Sequence, residues 1–129
     1  MIIGAVQKVE PKVAGKVVSF VDTNVGGPSA GLMFTMEIYN QLTPGDLSKG
    51  HRIAGTGTID ADGNVGAIGG VKHKIVAADR EKAEVFFVPV KNYDEAKARA
   101  DKIGTDMLLV PVSTLDEALK YMEKLPVTP

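Results

Sequence analysis

Phe86-Phe-Val-Pro-Val-Lys-Asn-Tyr-Asp-Glu-Ala-Lys97 and Leu108-Leu-Val-Pro-Val-Ser-Thr-Leu-Asp-Glu-Ala-Leu119 align at an offset of 22 residues. Each copy reads as an apolar strand, a proline that ends it, then a helix. Asn92 and Thr114 are candidate N-caps, with Glu95 and Glu117 three residues on as capping-box partners. Apolar runs of this kind predict strands covered on both faces and paired in parallel through a helical crossover. The same reading puts Asp94, Glu95, Asp116 and Glu117 on helix starts, where carboxylates suit the dipole. It argues against them as catalytic acids.

Working outward, Gly69-Gly70 precedes a helix that runs through Val71, Ile75 and Ala78 to about residue 82. Residues 52–59 read as one strand, closed by the tight turn Asp60-Ala-Asp-Gly-Asn64, with 65–68 as its short partner. Pro28 suits the first turn of a helix over 29–42, where Leu32, Met33, Met36 and Tyr39 recur at helical spacing. Thr43 to Gly50 is a turn-rich loop, as is 24–27. Residues 2–9 and 12–22 are strand candidates, the first opening abruptly at Met1. The class is therefore α/β, expected as a single domain over 1–129.

Composition bounds the function. The 129 residues hold 15 Lys and Arg against 16 Asp and Glu, a net charge of −1 with the signs mixed along the chain. That gives no electrostatic case for nucleic acid. With no cysteine there is no disulfide and no thiolate metal site. No run of 18 apolar residues occurs, and no basic stretch followed by an apolar one is visible at the start of the sequence. Glycine is enriched, at 14 residues, mostly before residue 71.

Two segments carry candidate chemistry. In Gly26-Gly-Pro-Ser-Ala-Gly31, a helix opening at Pro28-Ser29 leaves its first amide groups unpaired. Those donors, at the positive end of the helix, suit an oxyanion forming beside the Ser29 hydroxyl. Gly27, Ser29 and Gly31 also fit the nucleophile-elbow pattern. Equally, Ser is a common N-cap and Gly-Pro-Ser an ordinary helix entry. A serine nucleophile needs a base. Ser29, Asp60 or Asp62, and His73 can be written as a triad; His51 is the other histidine, in a turn-rich loop. Lys72 and Lys74 are the alternative bases. Both fall in the first turns of the 71–82 helix, where the dipole disfavours their charged forms. They flank its apolar stripe at similar angles, so periodicity does not choose between them; desolvation would lower the pKa of either.

Taken together, Gly26 to Gly31, Ala54-Gly-Thr-Gly-Thr-Ile59 and Gly69-Gly-Val-Lys-His-Lys-Ile-Val-Ala-Ala-Asp-Arg80 resemble the proteolytic domain of Lon-type proteases, in the family's order and spacing. The likeness is greatest to the ATPase-less bacterial branch that carries a PDZ domain. It implies a Lon-type fold of small mixed sheets packed with about four helices, similar to the second domain of ribosomal protein S5. It implies an ATP-independent serine endopeptidase acting on unfolded or loosely folded polypeptide, with Ser29 as nucleophile and Lys74 as base. By the same likeness Thr56 supports the lysine by hydrogen bonding, and the backbone loop of Gly27, Pro28 and Ala30 surrounds the oxyanion. No cofactor, metal or ATP is implied; no Gly-x-x-x-x-Gly-Lys-Ser/Thr phosphate loop occurs. The branch further implies a homo-oligomer. This chain would be a fragment of a longer PDZ-containing protein, anchored in the bacterial cytoplasmic membrane with this domain on its outer side. Gly26, Thr58 and His73 depart from acidic residues common in the family, which touches tuning by those acids and leaves Ser29 and Lys74 in place. The competing reading is a catalytically silent Lon-like module that oligomerises or holds peptide.

Overall fold

A computed structural model describes residues 28–126; the expected strands at 2–9 and 12–22 and the loop at 24–27 lie outside them. In chain order the elements are a 3-10 turn (Pro28–Ala30), α1 (Gly31–Leu42), β1 (Ile53–Gly55), β2 (Thr58–Ile59), β3 (Val65–Gly66) and α2 (Val71–Arg80). They continue with β4 (Val85–Pro89), a second 3-10 turn (Val90–Asn92), α3 (Tyr93–Ile103), β5 (Leu108–Val112) and α4 (Leu115–Lys124). β1, β4 and β5 form one parallel sheet in the order β1-β4-β5; β2 and β3 form a separate antiparallel hairpin. This is the expected α/β architecture with small sheets and, among the described residues, four α-helices.

Alternation along the central strand sorts the core into two halves. Phe86 and Val88 point to one face, where Val71, Ile75 and Ala78 of α2 and Ala96 and Ala100 of α3 cover them. Val85 and Phe87 point to the other, against Leu32, Met33 and Met36 of α1 and Ala118 and Met122 of α4. The sheet is therefore a middle layer with two helices on each side. Phe86 and Phe87 are both fully buried; truncating a residue of this kind typically costs about 3–5 kcal/mol.

The repeat is real, but its two strands are not equivalent. The sheet pairs Val85 with Leu108 and Phe86 with Leu109, a step of one residue relative to the sequence alignment. A one-residue step exchanges faces. The buried Phe86 thus corresponds in sequence to Leu108, which is 52% exposed. β5 is an outer strand of the described sheet, as β1 is, and is not covered on both faces as expected. Pro111 also fails to end it: β5 runs on to Val112, because an outer strand tolerates a residue without an N–H.

The helix starts differ as well. Thr114 completes its capping box with Glu117, a stabilisation of about 1 kcal/mol. Asn92 does not: its backbone is helical and its side chain makes no cap bond. The expected Asn92–Glu95 box is absent because the Asn92 amide is engaged elsewhere.

A clasp closes the C-terminal end. In the loop after α1, the Lys49 ammonium donates to the Glu123 and Leu125 carbonyls at the end of α4. His51 Nδ1 lies 2.8 Å from Glu84 Oε1 and Nε2 lies 2.7 Å from the Pro126 carbonyl. Both partners only accept, so both ring nitrogens must donate, which requires the imidazolium. The Glu84 hydrogen bond, then the Pro126 carbonyl, raise the His51 pKa above its ordinary 6.5, against desolvation and the opposing charge of Lys49. The same pair lowers Glu84 below 4.5, helped by the Arg52 amide. A raised histidine stabilises the fold fully below about 6.5 and loses that contribution as pH rises through its folded value. A lowered carboxylate contributes above about 4.5 and loses it on acidification. The clasp is therefore strongest between these limits. The melting-temperature deficit of His51→Gln should be largest near pH 5.5 and shrink by pH 8.5; an equal deficit at both would remove the imidazolium from the argument.

Candidate active site

The expected continuous strand over 52–59 is broken at Thr56-Gly57, and the break builds the site. β1 stays with the parallel sheet through Gly55, whose Cβ position would lie 2.9 Å from the Phe87 carbonyl. The Thr56 amide then donates to that carbonyl at 3.0 Å. At Gly57, φ is +148°, and the chain turns out to join the β2–β3 hairpin.

This turn cradles the segment carrying Ser29. The Gly57 N–H donates to the Ser29 carbonyl at 2.9 Å, and the Gly57 carbonyl accepts from the Leu32 amide at 2.9 Å. The Thr56 hydroxyl donates to the same Ser29 carbonyl at 3.2 Å. Thr56 is almost fully buried and Ala30 is buried, while Ser29 is half-buried. The Thr56 hydroxyl thus reaches the serine through its backbone. Pro28 opens the turn and, having no N–H, offers no donor to an oxyanion. Gly27 lies outside the described residues.

Facing Ser29 is Lys74: its Nζ lies 3.3 Å from Ser29 Oγ. Lys74 is the fourth residue of α2 and half-buried. Lys72 is exposed and reaches Glu95 on α3 at 4.0 Å, a surface pair. Burial therefore separates the two lysines that periodicity left equal. Ser29, in the turn that leads into α1, and Lys74, on α2 across the sheet, meet beyond the C-terminal end of β1, the usual place for a site in a parallel α/β sheet.

The histidine alternatives are not assembled. Asp60 spends its carboxylate on the amides of Asp62 and Asn64 and on the Asn64 side chain. These bonds, the Asn64 amide first, hold it below the usual carboxylate range. Asp62 and His73 are exposed, and His51 is committed to the clasp. Asp94, Glu95, Asp116 and Glu117 occupy first helical turns as expected.

Sequence reasoning passes over Gly57 and the Phe87 carbonyl, which together fix the nucleophile's backbone. The doubled Gly-Thr in Gly55-Thr-Gly-Thr58 is the signal that could have found them, since glycine inside a strand pattern marks a close approach.

Known proteins share about half of this sequence, and a family model matches most of it. Residues 21–124 match the model of the Lon protease (S16) C-terminal proteolytic domain. The chain is similar to the Lon protease of Campylobacter concisus, 43% identical over 68 residues, which is 53% of this chain and 8% of that protein. It is also similar to the Lon proteases of Aster yellows witches'-broom phytoplasma (38% over 66 residues, 51% of this chain, 8% of that protein) and Mycoplasma mobile (36% over 77 residues, 60% and 9%). The match thus spans under a tenth of the length of these relatives.

Proposed function

Since the chain belongs to the Lon protease C-terminal proteolytic domain family, and so to a family of protease domains, we propose that it is a serine endopeptidase that uses a Ser29–Lys74 dyad and needs no ATP. The observation that carries this reading is the 3.3 Å contact between Lys74 Nζ and Ser29 Oγ.

The chemistry derives from that contact. On this reading Lys74 must be neutral when substrate arrives. Its lone pair takes the Ser29 proton as Oγ attacks the peptide carbonyl carbon. The negative charge that develops on the carbonyl oxygen is met by the amide groups around Ser29. The Lys74 ammonium then protonates the leaving amine. A water, deprotonated by the same amine, hydrolyses the acyl-enzyme. Thr56 and Gly57 hold the Ser29 carbonyl, so the side chain starts from a fixed backbone. As a support for the lysine, Thr56 would act through its remaining lone pairs.

Substrates on this reading are unfolded or loosely folded polypeptides. On the same reading the cleavage step itself takes no energy from nucleotide. Homo-oligomerisation, a PDZ partner domain and an anchored full-length protein belong to the same proposal. Among the described residues no helix is long and apolar enough to cross a membrane. The test is incubation of the chain with unfolded casein, with and without ATP, read by mass spectrometry of fragments. Equal cleavage in both arms is expected. Cleavage seen only with ATP would overturn the ATP-independent reading, and cleavage in neither arm would favour a silent peptide-holding module.

A further inference from the structure

The amide side chain of Asn92 is buried and doubly engaged. Its Oδ1 accepts from the Ile68 N–H at 2.9 Å and its Nδ2 donates to the Ile68 carbonyl at 3.0 Å. One carboxamide thus grips both backbone groups of a residue 24 positions away. Asn92 forgoes the N-cap of α3 to do so, although its counterpart in the repeat, Thr114, caps α4 fully.

The gripped residue matters because it leads into the helix of the dyad lysine. Ile68 is succeeded by Gly69 and Gly70, then by α2, which carries Lys74. The N-cap of α2 is Gly70, in the left-handed conformation at φ +72°, and no side chain caps the helix. Two glycines and an uncapped start leave the entry of α2 without a local lock. Asn92 supplies a distant one. It also sits just past the end of β4, and the Phe87 carbonyl of β4 anchors Thr56 beside Ser29. The same strand therefore references both halves of the dyad.

We infer that Asn92 is a positioning residue of the active site: by clamping Ile68 it sets the start of α2 and so the approach of Lys74 to Ser29. This rests on the dyad reading above. Geometry at this level matters, since misplacement of a catalytic group by about 1 Å can cost on the order of 100-fold in rate.

The test measures labelling of Ser29 by a fluorophosphonate, followed by intact-mass spectrometry. The Oγ–P bond forms, fluoride leaves, and the serine proton passes to Lys74. The parent chain, Ser29→Ala, Asn92→Ala, Asn92→Asp and Met107→Ala are compared where circular dichroism shows each folded. Met107 is a buried member of the same core half, so its truncation controls for general destabilisation. Asn92→Ala should label about 100-fold more slowly and lose the rise in rate that accompanies deprotonation of an amine. Asn92→Asp, which keeps the acceptor for Ile68 N–H and loses the donor, should fall between. Met107→Ala should stay near the parent. Should Asn92→Ala not fold, Asn92→Asp decides by the same criteria. The inference is overturned if the Asn92 variants label at the parental rate, or if Met107→Ala slows as much as they do. Failure of the dyad reading looks different: the parent stays unlabelled, or Ser29→Ala still takes the label.

Discussion

Lys74→Met is expected to leave a folded chain that does not cleave peptide bonds, with a loss in kcat on the order of 10⁶-fold, the scale seen when a serine protease loses nucleophile or base. Methionine keeps the length and the apolar stem of the half-buried lysine and removes only the amine facing Ser29. Ser29→Ala should lose as much, and the double variant no more, because two groups that act as a unit do not add. Lys74→Arg separates charge from basicity. Arginine keeps the cation but does not give up a proton in proteins, so this variant should be as inactive as Lys74→Met. Activity retained in Lys74→Arg would mean that the cation, and not a free amine, serves the reaction. Loss in His73→Ala with retention in Lys74→Met would replace the dyad by a histidine mechanism. Steady-state cleavage of a quenched fluorescent peptide reads all of these.

Gly57→Ala should damage stability and site together. A Cβ at Gly57 would fall 2.7 Å from Val65 Cγ1, with Leu32 and Pro89 at ordinary contact distance, and φ there is +148°. The conformational penalty is roughly 1–3 kcal/mol, and crowding a packed core adds about 1–3 kcal/mol. Against a total stability of about 5–15 kcal/mol this is a large fraction. Relief by backbone movement would pull the Gly57 N–H and carbonyl off Ser29 and Leu32, so residual folded protein should cleave poorly. Gly63 is the internal control. It also has positive φ, but a Cβ there meets nothing within 4 Å, so Gly63→Ala should cost only about 1–2 kcal/mol. Urea denaturation compares the two; equal losses would dismiss the crowding argument.

Much of this was legible in the sequence because it depends on local pattern. The two strand-proline-helix units, the helix start at Pro28 and the helix after Gly69-Gly70 come from periodicity and punctuation. The features that were not legible depend on partners distant in the chain. That β5 lies at an outer edge of the described sheet is a matter of pairing order and a one-residue register step, and the identical motif around Phe86 and Leu108 conceals it. The break at Thr56-Gly57 serves the Ser29 carbonyl, 27 residues earlier. Asn92 fits an N-cap by every local rule and is drawn off by Ile68. Of the candidate site, the residue types were visible, and the family likeness had to choose between Lys72 and Lys74. In the structure, burial distinguishes them.

Ser29 and Lys74 are 45 residues apart; the first opens α1, the second sits on α2, and those helices cover opposite faces of the sheet. Neither helix can bring its residue to the meeting point unless the strands between them are already in register. If the dyad is the catalytic unit, competence is a property of the finished molecule alone. A chain still emerging from the ribosome, or one whose layers have come apart through heat or damage, carries both side chains and no working blade. Loss of structure then disarms the protein before it can cut indiscriminately.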